Sequence, residues 1–580
     1  MCIRDRSYNS VSNEVDSYIE NSAISSSAGN LSVSASQDID NLAISVNTQL
    51  SKLNIGVNLV INDFNNFTRS YITGSSVDVF GSVGVLSAYT GNNEVYGGVV
   101  QGGSGGFGLG GSGVVNIYEN TIDAHIESSD LSGKGNKGIT HSNAQQNKAD
   151  EISSGVIVVA DARENEKVGT ATAAVNAGGA LALDGSVSVD LFKNKTNAYI
   201  QDSDINQDNA GNELQSVKVK AFSGTTVDVG NGGLNFGSNA GVGLSAGIVK
   251  IQNTTSSYIK GSNVNSKGGG VQVVSRTVED LLTVSVAGSI STNISFAGSG
   301  NVLYLEGLNN SYIESSTVKT EGNLDVVAED TVRIGDKDQN GNYDAGAIAG
   351  SVSVGGTTVG IGGSINIVKV NNITHAYIIS SNTDALLTTN VESISDKLFS
   401  MYAANVAASS TAGIGGSVNV LLVSSDTKAF IGADDSGEGS YVNSSIRGSS
   451  QTVNVSSTDK TDYKSGVGSG EVSKVIAAGG AVDVAIINVK NQAYIGENSN
   501  IKADYTVGVN AYTENKIDST VIAFGGGLGG VAGSVSVANI GKAFDADQDE
   551  ATGDIGSLIK RKGSNLDPEA KGGGERESVL

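Results

Sequence analysis

The chain has 580 residues with 78 glycines, one proline (Pro568), one cysteine (Cys2), no tryptophan and a formal net charge of −24. Glycine runs at nearly twice the roughly 7% of average usage, without the three-residue period of collagen. The lone cysteine excludes a disulfide framework, and 60 acidic against 36 basic residues exclude the basic face that a nucleic-acid partner needs.

At the N-terminus, Met1–Arg6 is short and charged, and no apolar signal-peptide segment follows it. The stretch resembles translated sequencing adaptor, which would make the chain an internal fragment; a short disordered tail is the other reading. Residues 1–16 are read as this fragment together with the end of a preceding repeat. From Ser17 onward an aromatic-Ile signature recurs, at Tyr18-Ile19, Tyr71-Ile72, His125-Ile126, Tyr199-Ile200, Tyr258-Ile259, Tyr312-Ile313, Tyr377-Ile378, Phe430-Ile431 and Tyr494-Ile495, with a decayed copy at Ala543-Phe544. After each aromatic comes an alternating V-x-V-x-[AS] segment. These segments begin at Leu31, Val83, Val156, Val217, Val271, Leu324, Val391, Val453 and Val507, Val391 being the weakest match.

A constant core of about 54 residues per unit emerges once the excess is assigned to polar insertions. These are Lys134–Asp150, Asn206–Gln215, Asp336–Gly346 and Asp434–Ser445, and they are expected at the corners of a solenoid. Segments such as Val217-Lys-Val219-Lys-Ala221 alternate apolar and polar residues, so the period is two and helices are excluded. Small residues in the second half of each unit, as in Ala347–Val370, allow close backbone approach. The fold expected for residues 17–544 is all-β, a right-handed parallel β-helix of about nine ~54-residue repeats. At two or three coils per unit and ~4.8 Å per coil, the rod would be on the order of 100–150 Å long.

Six further segments bear on function. Gly97–Gly111 lacks the aspartate of calcium-binding nonapeptides and reads as solenoid wall. Asp336-Lys-Asp338-Gln-Asn340-Gly341-Asn342-Tyr-Asp344 follows the first nine positions of an EF-hand-type loop. Alternate oxygen ligands at Asp336, Asp338 and Asn340 would converge, Gly341 permits the turn, Asn342 offers its carbonyl, and Asp344 adds an oxygen. Ala347 stands where the bidentate glutamate belongs, so one weak calcium site is expected; a solvated acidic turn is the alternative. Asn382-Thr383-Asp384 and Asp434-Asp435 match two motifs of pectin-depolymerising β-helix hydrolases. The required later histidine is missing, because His375 is the last in the chain. His125 occupies an aromatic slot and His141 a polar insertion, so no catalytic arrangement is expected. Thr520–Gly541 is uncharged but repeats a Gly/Val stretch of other units, and reads as wall rather than membrane helix. The charged stretch 545–580 reads as a non-repeat tail or cap.

The [AS]-Y-I signature, the V-x-V-x-A segments and the Gly362–Val368 segment together resemble the leukotoxin-family filamentous adhesins, and more broadly the filamentous-haemagglutinin-like large exoproteins of Gram-negative bacteria. The similarity covers about Ser17 to Phe544. It implies a secreted or surface-displayed adhesin shaft without catalysis, served by an outer-membrane secretion partner. It also implies contacts with a host-cell surface, extracellular matrix or glycan, or with other bacterial cells. A toxin-like virulence exoprotein acting on host cells is the alternative it carries; a polysaccharide-processing β-helix enzyme is disfavoured by the missing histidine.

Overall fold

The computed structural model describes residues 3–541 except 51–52, 104–106, 147, 177–180, 336–343, 434–436 and 444–449. Among them there is no helix, and the strands form three stacked parallel sheets. The chain is a parallel β-solenoid. One circuit illustrates the rest. Gly270–Ser291 lies in a V-x-V sheet, a tight turn follows, Ile294–Glu314 returns in an aromatic sheet, and Thr317–Thr320 adds a short corner strand.

Each ~54-residue unit makes one coil, not two or three. Val217 pairs with Val271 and Tyr258 with Tyr312 in parallel register, so a whole repeat separates hydrogen-bonded neighbours. The reason is strand length. The V-x-V and aromatic strands mostly run 20 to 22 residues, several times the usual 5–6, and one circuit consumes the unit. Ten strands in the aromatic sheet give nine steps of ~4.8 Å, a stack of about 43 Å. Each long strand covers up to ~70 Å at ~3.3 Å per residue. The body is a broad slab, wider along its strands than it is tall, and not the expected long rod.

Register also corrects one landmark. Leu324 pairs with Thr389, and Val391 with Val326. Thr389, β-branched and buried, takes the inward slot that the V-x-V pattern assigned to Val391. Three insertions flank the corner strands as expected: those at 134–150, 206–215 and 434–445. The fourth does not sit at a corner. It interrupts a V-x-V strand between Leu324–Ile334 and Ala347–Gly355, and both pieces pair with the uninterrupted strands on either side. Gly97–Gly111 and Thr520–Gly541 are sheet wall where described, the latter as two strands joined at Gly527-Leu528. Among the described residues no helix is long and apolar enough to cross a membrane. Ala543, Phe544 and the stretch 545–580 lie outside the described residues.

Two stacking devices set the register. The signature aromatics form one ladder on the outer face, from Tyr18 to Tyr494, with centroids 4.6 to 5.1 Å apart and planes within 14°. The isoleucine after each points inward and is buried, as at Ile72, Ile126 and Ile259. The second device is a serine ladder at the aromatic-to-corner bend. Ser203 N–H donates to Ser262 Oγ and Ser262 N–H to Ser316 Oγ, each at 3.1 Å. Ser262 Oγ–H turns back to the Lys260 carbonyl at 2.8 Å. The residue before each serine has positive φ, 60° at Gly261 and 50° at Ser315, which is why Gly, Asn, Asp or Ser precedes it.

The interior has two parts. Near the corner strands Val, Ile and aromatic residues fill it, including the stack Phe64–Tyr118–Phe192 at 5.1 and 4.8 Å. Near the turn between the two long strands the sheets almost touch. A Cβ on Gly243 would lie 2.5 Å from the Gly288 carbonyl oxygen across the gap, and one on Gly233 would lie 2.6 Å from that of Leu244. Mostly small side chains lie between the layers there.

Candidate functional site

Of the calcium-loop residues, Asp336, Asp338, Asn340 and Asn342 lie outside the described residues, and Asp344 is exposed. The base of the loop is described and closed. Gly335, at φ 91°, donates its N–H to the Leu281 carbonyl at 3.2 Å; Gly346 donates to Ser400 at 2.9 Å and accepts from Thr283 at 2.7 Å. The chain therefore leaves the ladder at Gly335 and rejoins it at Gly346 without disturbing the coils beside it. Among the described residues no cluster of His, Cys, Asp and Glu is arranged to hold a metal ion.

The hydrolase-like residues are described only in part. Thr383 and Asp384 are buried on the corner strand Asn382–Ala385, and Asp434-Asp435 lie outside the described residues. His375 sits on the outer side of the aromatic sheet, 3.6 Å from Asp426, where burial lowers its pKa. His125 is a rung of the ladder, stacked on Tyr71 at 5.1 Å and Tyr199 at 4.6 Å. His141 has a closer set of partners than its insertion suggested. Ile139–His141 and Glu151–Ser153 form a small antiparallel hairpin, and His141 Nε2 lies 2.8 Å from Ser153 Oγ and 3.5 Å from Glu151. A triad needs serine and acid on opposite ring nitrogens. Here both share Nε2, and Nδ1 faces the Ser142 carbonyl at 2.8 Å. Glu151 also pairs with Lys218 and Lys220, so the cluster fastens the insertion to the wall.

A row of ionisable groups inside the solenoid escaped sequence reading. Glu164, buried, accepts from Asn93 at 2.7 Å and from Asn120 at 3.0 Å. Burial raises its pKa to about 8; burial likewise raises that of Asp330 to about 6 and that of Glu279 well above the usual range. Asparagines pass hydrogen bonds between coils beside them, Asn9 to Asn62 to Asn116 to Asp190 at 2.6 to 2.7 Å. Lys397 and Asp459 form a fully buried ion pair at 3.0 Å, completed by Ser395, Ser425 and Thr427. These networks are enclosed by the two sheets and bind the stack together. Parity carried the signal: Glu164 is in phase with Val156 and Val158, which point inward.

Polar depressions also mark the outside among the described residues, two of them well defined. One of about 420 Å³ lies beside the corner strands and is lined by Ser315, Ser380, Asn382, Glu438, Tyr441 and Asn498. The other, of about 270 Å³, lies on the V-x-V sheet among Arg333, Asp396, Lys460, Asp462, Glu514 and Lys516. Hydroxyl, amide and tyrosine groups in the first suit hydrogen bonding to a polyol. Comparison with family models, curated proteins and solved structures finds no match to the chain.

Proposed function

We propose that the chain is part of the shaft of a secreted or surface-displayed adhesin of a Gram-negative bacterium, a structural and binding protein without catalysis. One observation carries this reading. The coils repeat the same ladders, while the insertions at 134–150, 206–215 and 434–445 all flank the corner strands. Variable loops gathered along one edge of a rigid repeat scaffold are how solenoids present binding surfaces. The polar depression at Glu438 and Tyr441 lies on that edge, which favours a glycan, on host cells, in extracellular matrix or on other bacteria. The inner rungs of the aromatic ladder, Tyr71 to Phe430, are not the binding platform, because both faces of each ring are covered by its neighbours. The 336–344 loop would take one weakly held calcium ion, and export would require an outer-membrane partner. Binding of the folded protein to glycan arrays and immobilised matrix proteins tests the proposal, against a Glu438→Ala, Tyr441→Ala variant. Loss of binding in the variant supports it; no binding by the wild type, or equal binding by both, refutes it.

A further inference from the structure

Toward the turn between the two long strands, the sense of the amphipathic strand reverses. In Gly270–Ser291 and Ile294–Glu314, the inward residues Ser285, Ser289, Ser295, Ser299 and Asn301 are buried. Outward, Val286, Ile290, Ile294, Phe296 and Val302 are 38 to 48% exposed. Part of the polar interior is bonded from coil to coil: Ser285 donates to Asn301 at 2.7 Å, Asn301 to Asn366 at 2.9 Å, and Asn366 to Asn419 at 3.0 Å, while the Ser245 and Ser289 hydroxyls are buried without a partner.

In-register stacking extends the reversal over most of the slab, though in Ile3–Glu20 the same rows carry Arg4 and Arg6. Aromatic-sheet positions equivalent to Ile294, Phe296, Gly298, Gly300 and Val302 carry only Gly, Ala, Val, Leu, Ile or Phe in every strand from Phe107–Glu127 to Gly529–Ile540. On the V-x-V sheet, positions equivalent to Val284, Val286, Gly288 and Ile290 carry no charge in any described coil. Charge returns beyond the band. The next V-x-V row includes Glu94, Lys167 and Asp228. The next aromatic-sheet row mixes Lys250, Tyr304 and Lys369 with Ile117, Leu191, Leu422 and Ile486, and the two ammonium groups lie 5.5 and 5.0 Å from the Tyr304 ring centre. At the other border the turns are polar, such as Thr292-Asn293 and Ser410-Thr411.

The dimensions identify what covers this band. From Ile294 to Val302 it runs ~26 Å along the strands, and it spans about 34 Å across eight strands of the aromatic sheet, on the order of 900 Å² on that face. A typical monomer's largest apolar patch is roughly 300–600 Å². The two faces lie back to back on a thin double layer and share the edge formed by the turns. A globular partner, or a second copy, would cover one face; a medium that surrounds the edge covers both. Hydrocarbon about 30 Å thick fits the band's height. The Lys and Tyr border row stands where membrane proteins place such residues. A polar lining beneath an apolar outside is the alternation that membrane β-strands also show.

We propose that this edge enters a lipid bilayer turn-first, down to the row of Lys250, Tyr304 and Lys369. The inference stands independently of the adhesin reading. With a net charge of −24, attraction to anionic headgroups is not the driving force, so phosphatidylcholine vesicles are the probe. In a Cys2→Ser background, an environment-sensitive fluorophore is attached at Val286→Cys or, as control, at the exposed Asn65→Cys. Vesicles should shift the Val286 label to shorter wavelength and shield it from aqueous iodide, leaving the Asn65 label unchanged. A Val286→Lys, Val302→Lys variant changes only outward side chains; it should keep its β circular dichroism and float with vesicles at least tenfold less than wild type. Absence of wild-type flotation, or equal flotation of the double variant, overturns the proposal. So does shielding of the Val286 label that rises with protein concentration without lipid, which would assign the band to a second copy.

Discussion

Replacing Glu164 with Gln should flatten the pH dependence of stability in the coil Gly155–Asn176. The Glu164 carboxyl is buried, and its pKa stands at about 8 against an ordinary 4.5. A raised acid contributes its stability in full below about pH 4.5 and loses it as pH rises through about 8, because the unfolded chain sheds the proton first. At ~1.36 kcal/mol per unit, the wild type should lose about 3 kcal/mol between pH 5 and pH 8 from this group alone. Gln keeps the shape and cannot ionise, so that component disappears. Repeat arrays do not unfold in one step, so the readout is local: hydrogen exchange of amides 156–170 at both pH values, corrected for intrinsic rates. Equal pH slopes in wild type and Glu164→Gln would refute the reasoning.

Calorimetric titration should give weak calcium binding, in the ~10⁻⁴–10⁻³ M range of extracellular modules, and none for Asp336→Ala, Asp338→Ala; equal heats would reduce the loop to a solvated turn. Deleting Tyr258–Ser311 joins Ser257 to Tyr312 in the old register and should leave a shorter folded stack by circular dichroism. Deleting one residue fewer slips the join by one and turns inward side chains outward, so that variant should expose amides there to rapid exchange. Ser262→Ala removes two bonds of the serine ladder and should cost about 1–2 kcal/mol in local exchange at the Gly261 bend; an unchanged rate would mean the ladder is incidental.

The repeat was legible because each aromatic and each inward Val must stack on its counterpart, and unequal insertions do not disturb a pattern anchored at two landmarks. The number of coils was not legible. A period of two is the same in one strand of 22 residues as in several short ones, and spacing alone does not say where the chain turns. Val391 misled because apolar character outweighed register, and Thr389 fills the slot. The buried carboxylates were in phase with Val156 and were passed over because charge was taken as a mark of the outside. The same assumption hid the reversal near the turns. There the sheets approach closely, so Ser, Gly, Ala and Asn occupy most of the interior, with few apolar residues such as Val99 and Val467 among them, and many large apolar side chains face out.

The central claim is that one repeat makes one coil. Asn65 and Asn488 are exposed and occupy the same row of the aromatic sheet, seven coils apart. Spin labels at Asn65→Cys and Asn488→Cys, with Cys2→Ser, should show a dipolar distance of about 34 Å, seven steps of ~4.8 Å. A distance near 67 Å, as two coils per repeat demand, would contradict the account.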